Sequence, residues 1–185
     1  MVAPEGAGEG KHFHWGDDVR LDPATGEVDE DPGFERAGEA ILGKLIKETI
    51  VERLGWEVDD IMVFGFGQGG SLGLGLASRL ANARVVEEEG GADGKASEKK
   101  DRLKGVISLG GPLPLSMVST VSARKKSKTK VLMLQVSDEA AETAKREFEV
   151  VDVVKWKRRE VDMPRSMQEM FPIMGFIARN TTMAG

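Results

Sequence analysis

The sequence predicts an α/β fold: a parallel sheet with helices on its faces. Short, continuously apolar runs at 61–64, 105–109 and 131–136 alternate with helical patterns. Such runs suit strands covered on both faces, which need no alternation with polar residues. The first run opens directly into a glycine-dense turn and then a helix, the strand–turn–helix order of a parallel α/β unit. With 185 residues the chain has room for one domain with a sizeable core.

Residues 1–33 are rich in Gly, Asp, Glu and Pro without a sustained period, so they read as an irregular lead-in to a single domain over 34–182. Asp31-Pro32-Gly33 punctuates the start of a helix running to about Leu54, with Ala37, Ile41, Leu45, Ile46, Ile50 and Leu54 on one apolar face. The strand at 61–64 leads through Gly65-Phe66-Gly67-Gln68-Gly69-Gly70 into a helix from Ser71 to about Ala83. Gly73 and Gly75 inside that helix each cost about 1 kcal/mol relative to alanine, which predicts tight packing on the sheet. The segment 87–104 is charged and low in complexity and reads as a mobile surface loop. A strand at 105–109, a basic loop at 122–130, a strand at 131–136, a helix at 139–148, a strand at 149–156 and an amphipathic helix at 166–179 follow.

Charged residues make up 31% and hydrophobic residues 40%, ordinary values for a globular chain. The net charge of −5 argues against nucleic acid or a membrane surface as the partner of the whole domain. The absence of cysteine excludes disulfides and thiolate metal sites and fits a reducing compartment. The first ten residues lack the basic and apolar regions of a secretory signal, and no apolar run approaches the roughly 20 residues that span a bilayer. The expectation is a cytoplasmic protein with no cofactor.

The glycine turn admits two readings. Gly65, Gly67 and Gly70 fit a G-x-G-x-x-G dinucleotide fingerprint, with Arg84-Val85-Val86-Glu87 as a short second strand carrying the ribose-binding acid. Against this, the strand is very short and runs into the charged loop. The other reading is a nucleophile elbow, G-x-S-x-G, with its serine replaced.

Gly65-Phe66-Gly67-Gln68-Gly69-Gly70 resembles the G-F-S-Q-G-G elbow of the phospholipase/carboxylesterase family, which includes the acyl-protein thioesterases. The likeness continues in order through VISLGGPLP at 106–114, VLMLQVSD at 131–138 and the helix that includes Gln168-Glu169-Met170. It covers roughly 35–180 and implies an α/β-hydrolase fold. The family's early strands, and the loop that gives its second oxyanion donor, have no counterpart, so the resemblance implies an N-terminally truncated version. The strand at 61–64, central in the full fold, would then become an exposed edge inviting a dimer contact or a partner. Another chain, or the lead-in itself, would have to cover it.

A serine hydrolase needs an activated hydroxyl, a histidine base, an orienting acid and an oxyanion hole, in the chain order Ser, acid, His on this fold. The resemblance puts Gly67 at the nucleophile position, Asp138 at the acid and the Gln68 amide at one oxyanion donor. Where the family has its histidine the chain reads Asp162-Met163-Pro164-Arg165, and its only histidines, His12 and His14, lie far upstream. These features imply a pseudo-hydrolase keeping the scaffold and a cleft for a small acyl or carboxyl ligand. An esterase or thioesterase with a non-standard nucleophile is the alternative.

Other candidates have plainer readings beside them. Ser71 and Ser108 have no evident base. His12 and His14, with Asp17 and Asp18, have a metal-like composition but also suit a loop packing its aromatics, and His14 or Trp15 would line a remnant cleft by analogy with the related enzymes. The basic stretches 124–130 and 155–159 read as solvated loop and strand ends, and Asp152 and Asp162 as surface carboxylates.

Overall fold

The computed structural model of the chain describes residues 14–17, 29, 31–88, 102–119 and 126–181. Its centre is a four-stranded sheet of β1 (Met62–Phe66), β2 (Gly105–Leu109), β3 (Val131–Leu134) and β4 (Val151–Val154). The strands lie in the order β1-β2-β3-β4, and every neighbouring pair is parallel. The helices are α1, which starts at Glu35–Glu39 and continues through Ala40–Arg53, α2 (Gln68–Glu88), α3 (Asp138–Glu147) and α4 (Met167–Thr181). No helix among the described residues is long and apolar enough to cross a membrane.

Every residue of β2 and β3 is buried, because helices cover both faces of the sheet. On one face Val106, Val131 and Met133 pack with Leu74 and Ala77 of α2 and Ala141 and Ala144 of α3. On the other, Ile107, Leu109, Leu132 and Leu134 meet Ile173 and Phe176 of α4. The apolar runs therefore divide between two cores by strand alternation. The start of α1 adds an outer layer, with Phe34 against Leu72 and Leu76 of α2 and Met117.

Residues 71–78 of α2 are buried throughout, between the sheet and this outer layer. A Cβ on Gly73 would stand 3.0 Å from Val63, so this glycine serves the packing on the sheet that the sequence predicts, whereas one on Gly75 would overlap Met117, so Gly75 makes room for the outer layer instead. A buried tie crosses the same layer, where Ser78 Oγ donates to Glu147 Oε1 at 2.6 Å.

Several boundaries differ from expectation. α1 does not keep a single apolar face: Ile46 is buried, whereas Leu45 and Leu54 are exposed. From Ala40 to Arg53 the helix is of the π type, as in the Leu54 N–H bond to the Thr49 carbonyl at 3.1 Å, and the wider turn breaks the 3.6-residue stripe. α2 begins at Gln68 and ends at Glu88, so Glu87 and Glu88 belong to a helix and not to a loop. Leu103 is also buried, its amide donating to Thr129 Oγ1 at 3.2 Å, which corrects the other end of the predicted mobile loop. Residues 89–101 of that loop lie outside the described residues.

Part of the lead-in is docked. Asp17 Oδ2 accepts from the Glu35 amide at 2.7 Å and Oδ1 from the Arg36 amide at 2.9 Å, capping α1 from a distance. Asp31 accepts from the Ser116 amide at 2.8 Å. These contacts hold the described lead-in against α1 and the segment before 117. Among the described residues, β1 has β2 as its only strand neighbour, so it forms an edge of the sheet.

Candidate functional site

β1 runs to Phe66, Gly67 turns with φ +52°, and α2 starts at the next residue. The Gly67 amide donates to the Leu109 carbonyl at 2.9 Å, and its own carbonyl accepts from Gly70 at 2.9 Å and Ser71 at 3.1 Å. The turn is as tight as backbone allows. A Cβ on Gly65 would fall on the carbonyl of Gly69, and one on Gly111 would fall on the carbonyl of Gly67. At Gly67 itself the position a Cβ would take has nothing within 4 Å. Left-handed backbone costs a non-glycine residue about 1–2 kcal/mol. Gly67 thus holds the strained corner between strand and helix, and open space lies over it.

The amides of Gln68 and Gly69 open a helix of 21 residues and have no acceptor within it, so they carry the positive end of its dipole. Beside them lies the docked lead-in. The Trp15 amide donates to Gln68 Oε1 at 3.2 Å, and the Trp15 indole Nε1 lies 3.7 Å from where a Gly69 Cβ would be. Trp15 also lines a cavity of about 200 Å³ together with His14, Asp17, Arg36, Ala37 and Ile41. His14 Nδ1 is buried without a hydrogen-bond partner among the described residues. The fold therefore brings Trp15 beside the glycine turn from more than fifty residues upstream, and the cavity that Trp15 shares with His14 gains Arg36, which no sequence pattern marks.

The other positions marked by the resemblance are engaged in ion pairs. Asp138, the first residue of α3, is exposed, and its carboxylate pairs with Lys155 Nζ at 2.7 Å. The hydrogen bond and charge of Lys155 hold its carboxyl below the usual aspartate range. The segment 162–165, where the resemblance would put a histidine, is an ion-pair cluster: Asp162 accepts from the Met163 amide at 2.7 Å and pairs with Arg165. Arg158 joins that cluster through Glu169 at 2.8 Å and lies 4.7 Å from the Trp156 ring. His14 has no carboxylate on its buried Nδ1 among the described residues.

The plainer readings hold for several other residues. Ser108 is buried and its hydroxyl donates to the Gly111 carbonyl at 2.7 Å, and Ser71 is buried in the first turn of α2. Asp17 spends both oxygens on the cap of α1, while His12 and Asp18 lie outside the described residues. Asp152 pairs with Arg179 at 3.2 Å. Of the basic stretch 124–130, Lys126 and Lys130 bond to the Lys145 carbonyl and to Asn180, and residues 124 and 125 lie outside the described residues. The second strand required by the dinucleotide reading, at 84–87, is helical and forms the end of α2.

Gln135 is a residue that sequence reasoning missed. It stands in left-handed backbone with φ +56° at the end of β3, and its side chain bonds the Trp156 amide at 2.5 Å and the Arg158 carbonyl at 2.7 Å. Comparison with family models and with curated proteins finds no match to the chain.

Proposed function

We propose that this chain is a degenerate relative of the phospholipase/carboxylesterase family, a pseudo-hydrolase that binds a small acyl or carboxylate ligand without hydrolysing it. The observation that carries the reading is Gly67: φ +52° at a strand-to-helix corner, with open space where a nucleophile's side chain would stand. A strained corner between close-packed glycines is what a nucleophile elbow requires, and a glycine there has nothing to attack with. The ligand's carboxylate or carbonyl oxygen takes the amides of Gln68 and Gly69, where the helix dipole favours negative charge. Its apolar portion takes the cavity beside Trp15, Ala37 and Ile41, and Arg36 adds a cation at the wall.

The missing chemistry supports binding over turnover. Asp138 is tied to Lys155, and the expected histidine position is occupied by the Asp162–Arg165 pair. Members of a triad act as a unit, so one restored member recovers little. The test is an amide-resolved NMR titration with octanoate and, in parallel, octylamine. The reading expects saturable shifts at Gln68, Gly69 and the Trp15 indole with octanoate alone, reduced in Arg36→Ala. Unmoved amides at high octanoate, or equal shifts with the amine, would overturn it.

A further inference from the structure

We infer that residues 14–17 are a strap closing over the cavity, so that occupancy of the cavity and docking of the strap are thermodynamically linked. The inference rests on the ligand reading above and adds how that site opens. The cavity lies between two elements. His14, Trp15, Gly16 and Asp17 line one side, and Arg36, Ala37, Ala40 and Ile41 of α1 line the other. A space made in this way exists only while the strap lies against the helix.

The two sides are fixed to the domain by different means. At the root of α1, Phe34 is buried against Leu72, Leu76 and Met117. Just before it, the Asp31 carboxylate accepts from the Ser116 amide at 2.8 Å and from the Ser116 hydroxyl at 2.5 Å. Residues 14–17 belong to none of the three apolar clusters, and Trp15 is 47% exposed. Four hydrogen bonds hold them. The Asp17 amide donates to the Gly33 carbonyl at 2.9 Å, its carboxylate accepts from the Glu35 and Arg36 amides, and the Trp15 amide donates to Gln68. Release exchanges each of these for a bond to water, so the net contribution of each is small. A segment held by hydrogen bonds with little apolar burial opens locally, before the domain unfolds.

Three of the four bonds belong to Asp17, which makes it the clasp of the strap. The fourth ties the strap to Gln68, the first residue of α2, whose amide is offered to the ligand's oxygen. A ligand lying between strap and helix loses one whole set of contacts when the strap lifts, so it binds the closed form in preference. The linkage is reciprocal: docking of the strap strengthens the ligand by the factor by which the ligand suppresses opening. Where the open form does not bind, that suppression is 1 + [L]/Kd.

The experiment is amide hydrogen exchange of the full chain by NMR, with and without octanoate, where reclosing is faster than exchange. The Glu35 and Arg36 amides report the clasp, since both donate to Asp17. The Ala140 amide, capped by Ser137 Oγ at 3.1 Å at the start of α3, reports a helix end that the strap does not touch. With octanoate at about ten times its dissociation constant, exchange at Glu35 and Arg36 should slow about ten-fold while Ala140 stays unchanged. A second arm needs no ligand. In Asp17→Ala with native circular dichroism, the Trp15 amide should exchange about five-fold faster, because the strap lifts as a unit once its clasp is gone. An unchanged Trp15 rate in that variant overturns the strap whatever octanoate does. Octanoate shifts at Gln68 and Gly69 with unchanged Glu35 and Arg36 rates, or with equal slowing at Ala140, overturn the linkage and leave the ligand reading standing. No octanoate shift at those amides overturns the ligand reading and the linkage together.

Discussion

Alanine placed at Gly65 and Gly67, with Gly43 of α1 as a control, separates a glycine required by close backbone from one required only by its φ. At Gly65 the new Cβ falls on the carbonyl of Gly69 and close to the amide of Gly70, backbone atoms that no rotamer change can move aside. Overpacking commonly costs about 1–3 kcal/mol, and a clash with backbone belongs at or beyond the top of that range. At Gly67 nothing lies within 4 Å of the added carbon, and the cost is that of φ +52° alone, about 1–2 kcal/mol. At Gly43 there is again nothing within 4 Å and no left-handed backbone, so alanine should stabilise the helix by about 0.5–1 kcal/mol. Equilibrium urea unfolding reads all three on one scale. With m of about 1–3 kcal/mol per molar, the Gly65→Ala midpoint should fall by at least about 1 M, Gly67→Ala should fall by less, and Gly43→Ala should rise. Equal losses at Gly65 and Gly67, or a larger loss at Gly67, would refute the claim that the corner is closed at Gly65 and open at Gly67.

Two further outcomes follow from the contacts. Asp17→Ala removes both side-chain acceptors at the start of α1 and should cost about 1–2 kcal/mol, with a red shift of tryptophan fluorescence as Trp15 is released; unchanged stability and emission would show that the cap does not hold the lead-in. Glu169 is held below the ordinary glutamate value, first by the Arg165 amide at 2.6 Å and then by Arg158. A depressed native value means the unfolded chain binds that proton more readily. The stabilisation is therefore full above about pH 4.3 and is lost as pH falls through the native value. Glu169→Gln should flatten the fall in urea midpoint below pH 4.3, and an unaltered slope would rule out this contribution.

How much of this was legible in the sequence depends on how local the controlling interaction is. β2 and β3 could be read because burial on both faces makes nearly every position apolar, and the strand–glycine turn–helix unit could be read because Gly65 answers to a clash within a few residues. The stripe on α1 misled at Leu45 and Leu54, since the 3.6-residue period does not describe a π-helical stretch. The end of α2 was missed because the charged run from 87 onward resembles a loop, although helix continues to Glu88. Asp17 capping a helix that begins eighteen residues later, and Trp15 reaching Gln68, are long-range contacts with no pattern in the chain. Gln135 likewise owes its left-handed backbone to partners at 156 and 158.

The proposed reading of Gly65–Gly70 as a nucleophile elbow without its chemistry is tested by the intact mass of the purified chain after incubation with a reactive fluorophosphonate. An unmodified mass is expected, because Gly67 offers no hydroxyl, Ser108 is bonded to Gly111 and buried, and Asp138 is paired with Lys155. A stoichiometric adduct mapping to one serine would contradict it and would mean that an activated nucleophile exists at another place in the fold.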